Sequence, residues 1–112
     1  MKPTELQIGD WILYGDKPVR VLQLSENVKD GWVEPIPLTP EILEKNGFWV
    51  MEKVDNGAEE YIAYATDGLV FHYNRDNDYY FPNTPISWRY VHELQYILRL
   101  CGLDELADNF KV

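Results

Sequence analysis

The sequence predicts an α+β fold. The expected parts are a small bent antiparallel sheet at the N-terminus (one candidate form of it SH3-like), a short helix, an antiparallel β-meander, and a C-terminal helix packed on the sheet. Three observations carry this. Turn signals such as Asn56-Gly57 and Asp67-Gly68 recur between stretches rich in Val, Ile, Tyr, Phe and Trp, which is how short antiparallel strands are written. Thr39-Pro40-Glu41 has the residues that start a helix. The stretch from about Ser87 to Cys101 sets apolar residues at helical spacing. All of this fits in 112 residues, with 46% hydrophobic content to build a core, so residues 1–112 are expected to form a single domain.

The elements follow in order. Leu6–Tyr14 reads as a strand. Gly15-Asp16-Lys17-Pro18 turns the chain, and Val19–Leu24 alternates apolar with polar residues as a half-buried strand does. Lys29-Asp30-Gly31 is a second turn, followed by the apolar segment Trp32–Ile36. In the helix that comes next, Thr39 supplies a capping hydroxyl and Pro40 has the φ of a first helical position. Glu41 complements the positive end of the dipole, Ile42 and Leu43 face inward, and Asn46-Gly47 ends the helix after about two turns. The meander takes Phe48–Val54, a turn at Asp55-Asn56-Gly57, Glu60–Ala65, a turn at Thr66-Asp67-Gly68, and Leu69–Asn74. A polar loop at Arg75–Asp78 leads to Tyr79-Tyr80-Phe81 as a fourth strand, and Pro82 and Pro85 are expected to stop pairing there. In the final helix Tyr90, Val91, Leu94, Ile97, Leu98 and Cys101 share one arc, with His92, Glu93, Tyr96 and Arg99 opposite. Gly102 stands just past its end. Leu103–Val112 is either one more helical turn or a frayed tail.

Composition excludes several classes of function. With 10 basic against 19 acidic side chains the net charge is −9, and the basic residues are scattered singly. Phosphate neutralisation supplies most non-specific nucleic-acid affinity, so direct binding of DNA or RNA is not expected, nor is an anionic membrane surface. The longest apolar run, Tyr61–Ala65, is far short of the ~20 residues of a membrane span. The first residues have no apolar secretion core, and a single Cys forms no intrachain disulfide. A reducing cytoplasm is the expected location.

Catalytic and metal chemistry find little support. Cys101 and His92 are nine residues apart on one helix and point to opposite faces. Ser25 and Ser87 lie in no nucleophile elbow. Two His and one Cys do not form a zinc pattern. The Asn74–Asp78 loop lacks the glycine and the twelfth-position carboxylate of a calcium loop, holding Tyr79 and Pro85 there instead. His72 reads as a sheet histidine. The adjacent carboxylates Glu59-Glu60, Asp76/Asp78 and Asp104-Glu105 lie in turns or at element ends. No metal, cofactor or catalytic residue is implied.

The aromatic content points to contacts with another molecule, since Tyr and Trp are enriched at binding hot spots. Tyr79 and Tyr80 form one candidate surface. The polar stripe His92, Tyr96 and Arg99 on the last helix forms a second. Leu100 and any unpaired edge strand of the meander offer a route to a homodimer.

Three blocks carry a resemblance: Leu6-Gln7-Ile8-Gly9-Asp10-Trp11, then Ile36-Pro37-Leu38-Thr39-Pro40-Glu41-Ile42-Leu43-Glu44-Lys45-Asn46-Gly47-Phe48, then Tyr90-Val91-His92-Glu93-Leu94-Gln95. In order and spacing they resemble a family of small proteins without assigned activity, frequent in the genomes of gut anaerobes, their prophages and other mobile elements. Glu93 stands where that family's pattern has Gln. The resemblance implies a compact intracellular α+β protein and brings no catalytic residues with it. The resulting expectation is a non-enzymatic protein-interaction module, such as an accessory protein of a phage or mobile element, whose partner is a protein or a second copy. The alternatives are an acidic nucleic-acid mimic that inhibits a host enzyme, and a small-ligand-binding protein.

Overall fold

The computed structural model describes residues 9–20, 33–66, 68–74, 76 and 78–112. Their contacts fall into two compact units, one made of Met1–Leu38 with Tyr90–Val112 and the other of Thr39–Arg89. The α+β class is as expected, with two antiparallel sheets and three short helices among the described residues.

In the first unit, β1 (Trp11–Tyr14) and β2 (Lys17–Arg20) form a hairpin, and β3 (Val33–Pro35) pairs on the other side of β1, giving the order β2-β1-β3. Pro18 lies within β2 opposite Leu13. It is tolerated there because, among the described residues, β2 is an edge strand that pairs on one side only. The predicted strand residues 6–8 and 21–24, the turn at 29–31 and Trp32 lie outside the described residues. The helix α2 spans Val91–Leu100 and packs against β1, and α3 (Asp104–Asp108) packs on α2. Of the two forms open to the last ten residues, the chain takes the helical one, and Phe110 is 1% exposed.

The junction of α2 and α3 is a Schellman turn. Gly102 sits at φ +79, its N–H donates to the Arg99 carbonyl (3.1 Å), and the Leu103 N–H donates to the Leu98 carbonyl (2.8 Å). That satisfies two carbonyls the helix end would otherwise leave open.

The second unit opens on α1 (Pro40–Lys45), whose start follows the sequence signals. The Ile42 N–H donates to Thr39 Oγ1 (3.3 Å), and Pro40 holds the first helical position. The helix ends on a second Schellman turn, with the Gly47 N–H on the Glu44 carbonyl and the Phe48 N–H on the Leu43 carbonyl (3.1 Å). Both apolar partners of that motif, Leu43 and Phe48, are buried. A five-stranded meander follows in the order β4-β5-β6-β7-β8: β4 (Trp49–Asp55), β5 (Glu60–Thr66), β6 (Leu69–Tyr73), β7 (Tyr79–Tyr80) and β8 (Ser87–Trp88). One face of it is an aromatic core centred on Phe71, which is fully buried. The rings of Phe48, Tyr79 and Trp88 lie 5.6, 5.9 and 5.2 Å from that of Phe71.

Four expectations are corrected. Ser87 and Trp88 form β8, paired with β7, and α2 begins only at Val91. The prolines do not stop pairing: Pro82-Asn83 builds a turn in which Asn83 takes φ +64, and Phe81 N–H bonds the Ile86 carbonyl on the far side. Pro at the second position and Asn at the third is the pattern of a type II turn. The turn expected at Asp55-Asn56-Gly57 is a longer loop, residues 56–59 between the paired Asp55 and Glu60. Asn56 Oδ1 instead accepts from the Ala58 and Glu59 N–H groups (3.1 and 2.8 Å), organising the loop between β4 and β5, which is the side chain's familiar use in mimicking a turn. Cys101 caps α2 with its side chain exposed rather than filling the core.

Candidate interaction surfaces

In the first unit a polar cluster surrounds Gln95, which is fully buried on α2. Its Oε1 accepts from the Trp11 N–H (2.8 Å), and its Nε2 donates to the carbonyls of Gly9 (2.9 Å) and Ala107 (3.0 Å). One side chain thereby joins the entry to β1, α2 and the end of α3. Beside it Arg99 Nη1 binds Asp10 Oδ1 at 2.7 Å, with the Asp10 side chain 3% exposed, and Nη2 lies 3.8 Å from Asp108 Oδ1. Arg20 reaches the same place, donating to the carbonyls of Asp108 and Gly9. Gly9 is required there: it sits at φ +96, and a Cβ would stand 3.2 Å from an Arg99 nitrogen. The Val91 N–H donates to the Ile36 carbonyl (2.9 Å), and Pro37 bridges to Tyr90. Parts of all three sequence blocks therefore meet here, where these side chains tie backbone segments together.

This geometry decides where the sequence-predicted contact residues fall. Arg99 is committed to Asp10 and is only 17% exposed. His92 is half-buried and stacks on Tyr90, with ring centroids 6.1 Å apart. Of the proposed stripe only Tyr96, at 49%, is an open contact residue, joined by Leu100 at 68%. The stripe does not stand as a continuous surface, because its cation is drawn into the cluster.

In the second unit Tyr79 has no exposed surface, and burial pushes its hydroxyl well above the usual tyrosine range. It is a core residue and cannot form the contact surface expected of it, since alternation along β7 turns it to the Phe71 side. Tyr80, its neighbour, points the other way and is half-buried. Its ring meets His72 edge-on (5.6 Å, 79°), and His72 stacks flat on Tyr61 (4.1 Å, 6°). Burial and the carboxylates of Glu52 and Glu59 hold the Tyr61 hydroxyl above its ordinary pKa.

The most open apolar feature is one the sequence reading did not single out. Among the described residues β4 is the terminal strand of its sheet, and six of its seven residues are exposed. The consecutive residues Trp49, Val50 and Met51 are 54%, 40% and 54% exposed. A β-bulge between Val50 and Glu52 leaves Met51 without a partner on β5. At the other end of the strand lies an open cavity of about 310 Å³ lined by Asp55, Glu59, Glu60, Asn74 and Asp76 together with Gly57 and Ala58. Asn74 shapes its wall, accepting from the Asp76 and Asp78 N–H groups (3.0 and 3.1 Å). Neither histidine lines it. Among the described residues no group of three His, Cys, Asp or Glu is arranged to hold a metal ion, and no helix is long and apolar enough to cross a membrane. The signal in the sequence was the run Phe48–Met51, four apolar residues where strict alternation would place two.

No family model, curated protein or solved structure matches this chain.

Proposed function

We propose that this chain is a non-enzymatic protein-interaction module that engages its partner along the edge of β4. The observation that carries the reading is the exposure of Trp49, Val50 and Met51 on a seven-residue terminal strand. Such an edge presents unpaired backbone donors and acceptors beside apolar side chains, the arrangement used when a partner segment adds a strand to a sheet. Large exposed apolar side chains grouped on one edge mark an interaction site more often than scattered ones do. The resemblance to small proteins of gut anaerobes and their mobile elements supports an accessory role of this kind in the cytoplasm. A comparison of variants tests it. The tagged chain, its Met51→Pro form and its Tyr96→Ala/Leu100→Ala form are each used to capture protein from host lysate. Partners retained by the parent and by the helix variant, and lost from Met51→Pro, support the edge. Loss only from the helix variant moves the interface to α2 and overturns this reading.

A further inference from the structure

Resting on that edge reading, we propose that the partner of β4 is an extended segment of another protein that carries Lys or Arg at one end and apolar residues at the other. The two ends of the edge differ in chemistry. Trp49, Val50 and Met51 form the apolar end. Six residues on from Trp49 and four from Met51, about 20 and about 13 Å along the strand at roughly 3.3 Å per residue, Asp55 opens onto the cavity it shares with Glu59, Glu60 and Asp76. Among the described residues no cation pairs with Asp55, Glu59 or Asp76. A strand added along β4 passes both ends, so one of its terminal side chains reaches a carboxylate-lined recess of about 310 Å³, a volume that admits a lysine or arginine head group. The carboxylates of Asp55, Glu59 and Asp76 around one recess favour a cation there and reject an anion.

The same features disfavour a second copy as occupant. The whole chain carries −9, so self-pairing brings like charge onto like charge. A basic strand escapes that penalty and gains from the field of the acidic protein as it approaches.

The test uses random peptides of about ten residues displayed on phage, selected on the full-length chain and counter-selected on Met51→Pro. Proline fits at a bulge, thermal unfolding checks that the variant folds, and Val50→Lys serves as a second edge-blocking variant. Recovered peptides are then synthesised and titrated against the parent and against the Asp55→Asn/Glu59→Gln/Asp76→Asn variant. The expected result is enrichment of peptides with Lys or Arg near one end and Val, Ile, Leu or an aromatic residue near the other, with affinity about tenfold lower on the neutralised variant. Enriched peptides without a cation, bound equally by the neutralised variant, overturn this inference and leave the edge reading standing. A dimer in sedimentation that Met51→Pro dissolves, with no peptide enriched, makes the occupant a second copy and also overturns it. Peptides that bind Met51→Pro and Val50→Lys as well as the parent overturn the edge reading itself.

Discussion

Gln95 is one amide whose two ends serve three backbone groups, those of Trp11, Gly9 and Ala107. A buried group that loses its partner costs its full desolvation, so Gln95→Leu should lower stability by about 3 kcal/mol in urea unfolding. Gln95→Glu keeps the acceptor for Trp11 and loses both donations. Its carboxylate faces two carbonyls, so the variant should regain stability as pH falls and the carboxyl protonates. Tyr79 gives a second pH dependence, at the alkaline end. Its folded-state pKa lies above the ordinary 10.0, chiefly through burial, and Tyr64 is shifted the same way. The folded chain thus holds the proton more tightly than the unfolded chain. That contribution is fully present below about pH 10 and is lost as pH rises beyond it, because the unfolded chain ionises first. Urea midpoints followed from about pH 8 to about pH 11 should fall at the alkaline end, and less steeply in Tyr79→Phe. Neither residue's role was legible in the sequence. Gln95 is a polar residue adjoining the apolar arc of a helix, and only the long-range meeting of Gly9, Trp11 and Ala107 gives it a place in the core. For Tyr79 and Tyr80 the sequence offered two adjacent tyrosines, and the register with β6 decides which one is buried.

At the scale of elements the local signals of α1 held because their chemistry is complete within a few residues. Thr39, Pro40 and Gly47 define α1 because the cap and the Schellman bonds are all made within ten residues. Thr39→Ala should therefore cost about 1 kcal/mol. Gly47→Ala, which forces a side chain to φ +81, should cost about as much. Thermal unfolding of the two variants and of the double mutant checks both values, and because both act on one short helix the double mutant should depart from additivity. β8 was missed for the opposite reason. Two residues carry no strand pattern of their own, and Ser87 and Trp88 are extended only because β7 pairs with them. The loop that returns the chain to that pairing depends on Asn83 at φ +64. Asn83→Val, a β-branched residue there, should destabilise the hairpin by about 1–2 kcal/mol, whereas Asn83→Gly should be neutral or slightly stabilising.

For the whole molecule the governing quantity is the charge of −9, and it separates the two ways in which an acidic protein can hold a basic partner. If the surface imitates nucleic acid, attraction is spread over many carboxylates. Binding then falls steeply with salt, and no single backbone edge matters. If a basic strand adds to β4, charge sets the approach while backbone bonds and the contact at Trp49, Val50 and Met51 hold the complex. Raising salt from about 0.05 M to about 0.5 M should then slow association far more than it speeds dissociation. Met51→Pro should act the other way, leaving association nearly unchanged and speeding dissociation by at least about tenfold. Both rates are read in one surface-binding experiment with an edge-selected peptide. A salt effect confined to association, together with a Met51→Pro effect confined to dissociation, assigns the recognition to the edge. A dissociation rate that climbs with salt and ignores Met51→Pro assigns it instead to the acidic surface as a whole, and the edge then has no part in holding the partner.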